Sequence, residues 1–415
     1  MGSLLTELEA SKPNLFGTKK SGVSYPLGFP ILDQLLGCKY VYQDEDGTTR
    51  TKTQLGIPSG TFTMFLGASQ SGKSTAAAQA SWNIAEPFDN CAEIYWDDGE
   101  NATTYERVQG VTGASMKNIE ERFKIIPSDK VSTYDQILEQ IVQISKLKAA
   151  RKKEYLYNTG EKDFWGKEII MYKPTILVMD SLMKFTSEGE DTGEISDAYS
   201  GGREAVARGK FMRNALPYMG EHNINVFMIH HWSRDMRQGF ESKEKQLPHL
   251  PTGKWVSGGD KIILYSSSII MFIPKNSKDE KKTEEVNGYN GQPIDALISK
   301  SRTSAGGTIA HMEFVQETGF DPRLTLMQFA KDKKLITGVN PKSKFASNPD
   351  VTFDTRKFIE EIGRNPEIVR TLYVECRPLL SELIPWMDVT SNDPVKGGKA
   401  KIDSRAMLRD MYGEL

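Results

Sequence analysis

The chain runs to 415 residues, 38% hydrophobic and 26% charged, with a formal net charge of −2. That composition predicts a globular protein with one large core and appendages, or two to three domains of ~150 residues. Near-neutral charge excludes a whole-surface nucleic-acid binder but leaves room for a local basic loop. No apolar run approaches the ~18 residues of a membrane span, and Met1 to Glu9 lacks a cationic-then-apolar leader, so a cytoplasmic protein with no membrane partner is expected. Cys38, Cys91 and Cys376 are widely spaced and odd in number, which predicts reduced thiols and no metal site.

Residues 1 to 28 mix Lys, Ser, Gly and Pro and predict an N-terminal arm, a candidate oligomerisation element. The spacing from Gly28 to Gly37 predicts a helix stopped by glycine. Tyr40–Gln43 and Thr48–Thr53 flank Asp44-Glu45-Asp46-Gly47, the signature of an inserted hairpin. Ile57-Pro58-Ser59-Gly60 then turns the chain into the apolar run Thr61–Leu66. After it comes Gly67-Ala68-Ser69-Gln70-Ser71-Gly72-Lys73-Ser74, opening into the alanine-rich stretch that starts at Thr75.

Strand, glycine-cornered loop and helix start in this order predict a phosphate-binding loop. Gly67 and Gly72 let successive N–H groups turn inward at phosphate oxygens, and the helix adds its positive end. Lys73 is expected to reach the β- and γ-phosphates of a nucleoside triphosphate and Ser74 to hold Mg²⁺, with residues Gly67 to Thr75 forming the cofactor cradle.

Farther on, Cys91–Trp96 predicts a strand ending in Asp97-Asp98-Gly99-Glu100, followed by a helix over 102–109. A strand over 123–127 and a helix from about 133 to 153 follow. The stretch 151–173 has no clear period and is expected to be a surface insertion. Thr175–Met179 predicts a buried parallel strand with Asp180 at its end, placed to hold Mg²⁺ through water. A polar loop over 186–202, a helix over 203–220, and a buried strand from Asn225 to Ile229 ending at His230-His231 come next. Strands are expected over 268–273, 294–300 and 309–315. Alternating strand and helix predicts an α/β fold with a mainly parallel, twisted sheet. Beyond Gly338 the character changes: 354–386 reads as helical, and 389–402 as a flexible tail. The organisation expected is an arm, a core over 29–338, and a small C-terminal helical region over 339–415.

The stretch from His231 to Gly259 carries Arg234, Arg237, Lys243, Lys245 and Lys254 with Trp232, Phe240 and Trp255. Cations for phosphates and rings for bases suit a single-strand binder, although Asp235, Glu241 and Glu244 temper the charge. Lys300 and Arg302, two apart on a strand, are expected to project from one face.

Several of these motifs, in order, resemble the RecA-type recombinases. They are Leu32-Asp33-Gln34-Leu35-Leu36-Gly37, Gly56-Ile57-Pro58-Ser59-Gly60, the phosphate loop, and Gly193-Glu194-Ile195-Ser196-Asp197. Ile229-His230-His231, Gly258-Gly259-Asp260 and Ser299-Lys300-Ser301-Arg302-Thr303 complete the series. The histidine at 231 and the Lys-Ser-Arg-Thr run are similar to phage UvsX-like members. The resemblance spans about residues 28 to 338.

It implies a RecA-like P-loop NTPase core and a DNA-dependent ATPase that hydrolyses ATP to ADP and phosphate. Such a protein forms filaments on single-stranded DNA, pairs it with homologous duplex DNA, and works beside single-strand-binding and loader proteins in recombination and repair. Counting without gaps makes Asp98 the base that positions water, with Glu100 as the alternative. His231 would sense the γ-phosphate, and Lys300 and Arg302 would reach a neighbouring subunit's nucleotide. The acidic stretch 187–202 would touch DNA. A ring-forming helicase or translocase, or a regulatory ATPase that ignores DNA, shares the same core and stays open at this point.

Overall fold

The computed structural model describes residues 22–43, 47–88, 92–163, 166–186, 200–234, 246–256, 259–275 and 289–388. Its centre is a ten-stranded mixed sheet. The strands in chain order are β1 Phe62–Gly67, β2 Ile94–Asp98, β3 Phe123–Pro127, β4 Thr175–Asp180, β5 Ile224–Arg234, β6 Lys254–Val256, β7 Ser268–Pro274, β8 Gly291–Ser301, β9 Ile309–Val315 and β10 Gly319–Phe320. Across the sheet they run β10-β9-β8-β7-β1-β5-β4-β2-β3, with β6 paired to the end of β5. From β7 to β3 every pairing is parallel.

Every residue of β1 and β4 is buried, as expected of strands covered on both faces. Helix α1 (Pro30–Leu36) and helix α2 (Lys73–Ala85) lie in the apolar layer on one side, where Ala76, Ala77 and Ala80 pack with Phe65, Phe227 and Phe272. Small side chains let a helix lie close on a sheet, which is why the run after the loop is alanine-rich. The opposite layer joins Phe62, Met64 and Leu66 to Ile137, Ile141, Phe211 and Met212. These come from α5 (Tyr134–Ala150) and α6 (Ser200–His222).

The structure refines the sequence expectation in four places. Strands β8, β9 and β10 extend the sheet antiparallel; between β8 and β9 the link 302–308 is too short to carry a crossover helix. The helix expected over 102–109 is α3, Tyr105–Thr112, followed by α4, Met116–Arg122. Thr104 and Ser115 each cap a new helix with their side chains, and the left-handed Gly113 (φ 69) ends the first. The insertion at 151–173 is a helical turn, Lys152–Tyr155, and an antiparallel hairpin, Leu156–Lys162 with Glu168–Tyr172. The helical stretch expected over 354–386 comes in pieces: a 3-10 turn, Thr355–Lys357, and two helices, Phe358–Arg364 and Glu367–Glu382, parted at Asn365-Pro366.

Glu367–Glu382 buries Ile368, Leu372 and Cys376 in the same layer as α1. Trp386–Asp388 then adds a parallel strand to the expected hairpin, Cys38–Gln43 with Thr49–Gln54. No helix among the described residues is long and apolar enough to cross a membrane.

Strand alternation sends Asp98 to the α2 face and its neighbour Asp97 to the α5 face, where Gln140 donates to Asp97 Oδ1 at 3.1 Å. Oδ2 is buried without a partner, and burial pushes the carboxyl up to about 7. A raised carboxyl pKa means the folded state holds a proton that the unfolded state has lost, so stability falls as pH rises from ~4 to ~7. Asp97→Asn is therefore expected to flatten that slope and raise the melting temperature at pH 8. Melts of both proteins between pH 5 and 8 check it, and parallel pH profiles contradict it.

Candidate nucleotide site

The register of β1 places Gly67 between His231 of β5 and Phe272 of β7. Gly67 has no room for a side chain, since a Cβ would lie 2.5 Å from Ser71 Oγ and 2.7 Å from the Phe272 carbonyl. Gly72 caps α2 at φ +82, a left-handed conformation that suits glycine. Between them the loop folds on itself: Ser71 Oγ donates to the Ala68 carbonyl at 2.9 Å. The Lys73 ammonium donates to that same carbonyl and to Ser71 Oγ at 3.4 Å. Burial pulls the Lys73 pKa down to about 8, with Asp180 and Glu100 opposing the shift. The first turn of α2 holds no acidic residue, so loop and helix start form a positive cradle around the buried Lys73.

Carboxylates face it. Asp180 and Asp98 are register partners at the ends of β4 and β2. Burial pushes Asp180 up to about 7 against a hydrogen bond from Ser74, with Glu100 and Asp98 adding like charge. Asp98 Oδ2 accepts from the Thr103 N–H at 2.8 Å, while Oδ1 is buried without a partner. Glu100 stands two residues farther out, where Ser181 Oγ donates to its Oε1 at 2.8 Å and His231 Nε2 lies at 4.0 Å. Burial and the Lys73 charge hold His231 below the usual imidazole range. His230, one residue back, points into the opposite layer and is fully buried.

Lys73, Ser74, Asp98, Glu100, Asp180 and His231 are thus brought together at the carboxyl ends of the central parallel strands. The residues present fit a magnesium nucleotide. Ser74 and Asp180 offer adjoining oxygens for a hard cation, and the cradle's donors are turned onto the loop's own carbonyl, where an anion would displace it. Ser181 was not singled out from the sequence. Its one local signal is its place directly after Asp180.

Lys300 and Arg302 are not brought to this loop. Lys300 is level with Ile269, and Ile269 with Met64, so it sits about 10 Å back along the strand from Gly67. Arg302 falls just past β8. Both cations turn to the C-terminal carbonyls of α7 (Gly259–Tyr265): Lys300 donates to those of Ile263 and Leu264, and Arg302 Nη2 to that of Leu264 at 3.2 Å. Cations at a helix C-terminus are favoured, although burial and Arg302 together lower the Lys300 pKa.

Lys254 pairs across the base of a ribbon in which Trp232–Arg234 of β5 meets Lys254–Val256 of β6. Arg237, Phe240, Lys243 and Lys245, the Arg234 side chain, and the motifs at 193–197 and 258 lie outside the described residues. No protein-family model matches the chain, and no curated protein matches it.

Proposed function

We propose that the protein is an ATP-dependent DNA recombinase with a RecA-like P-loop core, assembling on single-stranded DNA and pairing it with homologous duplex. The observation that carries this reading is the convergence of Lys73, Ser74, Asp180, Glu100 and His231 where β1, β4 and β5 end. A loop for phosphates, an oxygen pair for Mg²⁺ and an imidazole at the root of a cation- and ring-bearing ribbon form one constellation. Magnesium would be held by Ser74 and Asp180 and would supply neutralisation of phosphate charge.

The chain's own groups do the rest. Lys73 meets phosphate charge as it builds up. Glu100, oriented by Ser181, is preferred here over Asp98, the residue that counting favours, as the group that accepts from and aligns the attacking water, because Asp98 accepts from the Thr103 N–H and fixes the turn. His231, against Glu100 and at the start of the ribbon, links the presence of the γ-phosphate to the position of the DNA-binding residues.

Single-stranded oligonucleotide is expected to raise ATP turnover at least ~10-fold and to support strand exchange with homologous duplex. In the same assay Glu100→Gln is expected to lower turnover by roughly 10²–10³, and Asp98→Asn by less. Turnover indifferent to DNA overturns the reading in favour of a regulatory ATPase. Closed rings that unwind duplex without pairing overturn it in favour of a helicase.

A further inference from the structure

Beside the cradle, but away from its carboxylates, stands a cation with no role so far. Arg107, in the first turn of α3, donates from Nη2 to Thr75 Oγ1 at 3.3 Å, and from Nη1 to the carbonyls of Gln316 at 2.9 Å and Glu317 at 3.2 Å. Those carbonyls belong to the turn joining β9 to β10. The turn is already seated on α2 without the arginine. Gln79 Nε2 donates to the Phe320 carbonyl at 3.0 Å, and the Phe320 N–H donates back to Gln79 Oε1 at 2.9 Å. Gly319, at φ +83, lies so close that a Cβ would be 2.7 Å from Thr75 Cγ2.

A guanidinium at a helix start that has no acid in its first turn is opposed by the helix dipole. It becomes favourable when an anion lies against the same turn. Glu100, Asp180 and His231 mark the γ-phosphate end of the cradle, and the hydrogen bonds of Arg107 go to none of them. They go to Thr75 and to the turn, on the other side of the helix start. We infer that Arg107 is a nucleotide-positioning residue that holds the α-phosphate and nucleoside end of the substrate, so that it sets affinity rather than chemistry. This rests on reading the loop as an ATP site.

The test is calorimetric binding of ADP and of inorganic pyrophosphate, with ATP kinetics beside it. Wild type is expected to bind both probes. Arg107→Ala is expected to weaken ADP about tenfold and leave pyrophosphate within about twofold, because pyrophosphate seated at the Lys73 end of the cradle has neither an α-phosphate nor a nucleoside. KM for ATP should rise about tenfold with kcat within about twofold. Arg107→Lys keeps the charge but not the fork, and should weaken ADP about threefold; where the alanine variant does not fold, it carries the test. Unchanged ADP affinity in the soluble variants, or equal loss of ADP and pyrophosphate, overturns the inference. Wild type binding neither probe overturns the ATP reading itself.

Discussion

Lys73→Met is expected to lower ATP turnover by roughly 10²–10³ while leaving the nucleotide-free protein at least as stable as wild type. Both effects have one cause. Lys73 is only 4% exposed, and burial brings its pKa to about 8 although Asp180 and Glu100 pull the other way. Its ammonium is poorly solvated. A lysine whose folded pKa is depressed disfavours folding while it is charged; the penalty is full below about pH 8 and fades as pH rises from there toward about 10.5. Methionine keeps the length of the side chain and removes the charge. At pH 7, thermal melts without nucleotide should place the variant level with or above wild type, and the gap should close toward pH 10. Magnesium ATP should reverse the order, raising the melting temperature of wild type and leaving the variant where it was. A variant that melts well below wild type without nucleotide, or that still turns over ATP at the wild-type rate, contradicts this account of the cradle.

What could be read from the sequence was whatever is written in neighbouring residues. β1 and β4 are buried on both faces, so apolar runs announce them. The loop after β1 and Asp180 after β4 sit at strand ends, where local motifs point. The hairpin Cys38–Gln54 is announced by its acidic, glycine-ended turn. Less legible were features made by distant chain. In Leu156–Lys162, exposure alternates along a strand built largely of polar residues, so no apolar period marks it. The strand Trp386–Asp388 exists because Lys39–Val41 offers it an edge. Arg107 gains meaning from carbonyls 209 and 210 positions away. Alternation within a strand also separates neighbours that share one motif. Of the paired histidines it turns His231 to the cradle and buries His230 behind it.

An equal mixture of Lys73→Met subunits with subunits carrying Lys300→Ala and Arg302→Ala is expected to recover ATP turnover that neither has alone. The two cations lie toward the opposite end of the parallel strands from their own loop and are folded onto α7, so within one chain they cannot meet the phosphates. If they act, they act on another copy. The double variant alone should lose roughly 10³-fold or more in turnover, the scale of a transition-state cation supplied by a neighbour. Isolated subunits of it should still bind ADP, because the loop, Ser74 and Asp180 are untouched. In a polymer assembled at random from equal parts, about a quarter of the seams join an intact loop to intact cations, so turnover should climb to about a quarter of wild type. The recovery must depend on total protein concentration, since dilution breaks the seams. Mixed polymers verified by two labels that stay inactive would show that the cations serve α7 alone. A double variant with wild-type turnover would show the same, and the nucleotide site would then be complete within each chain.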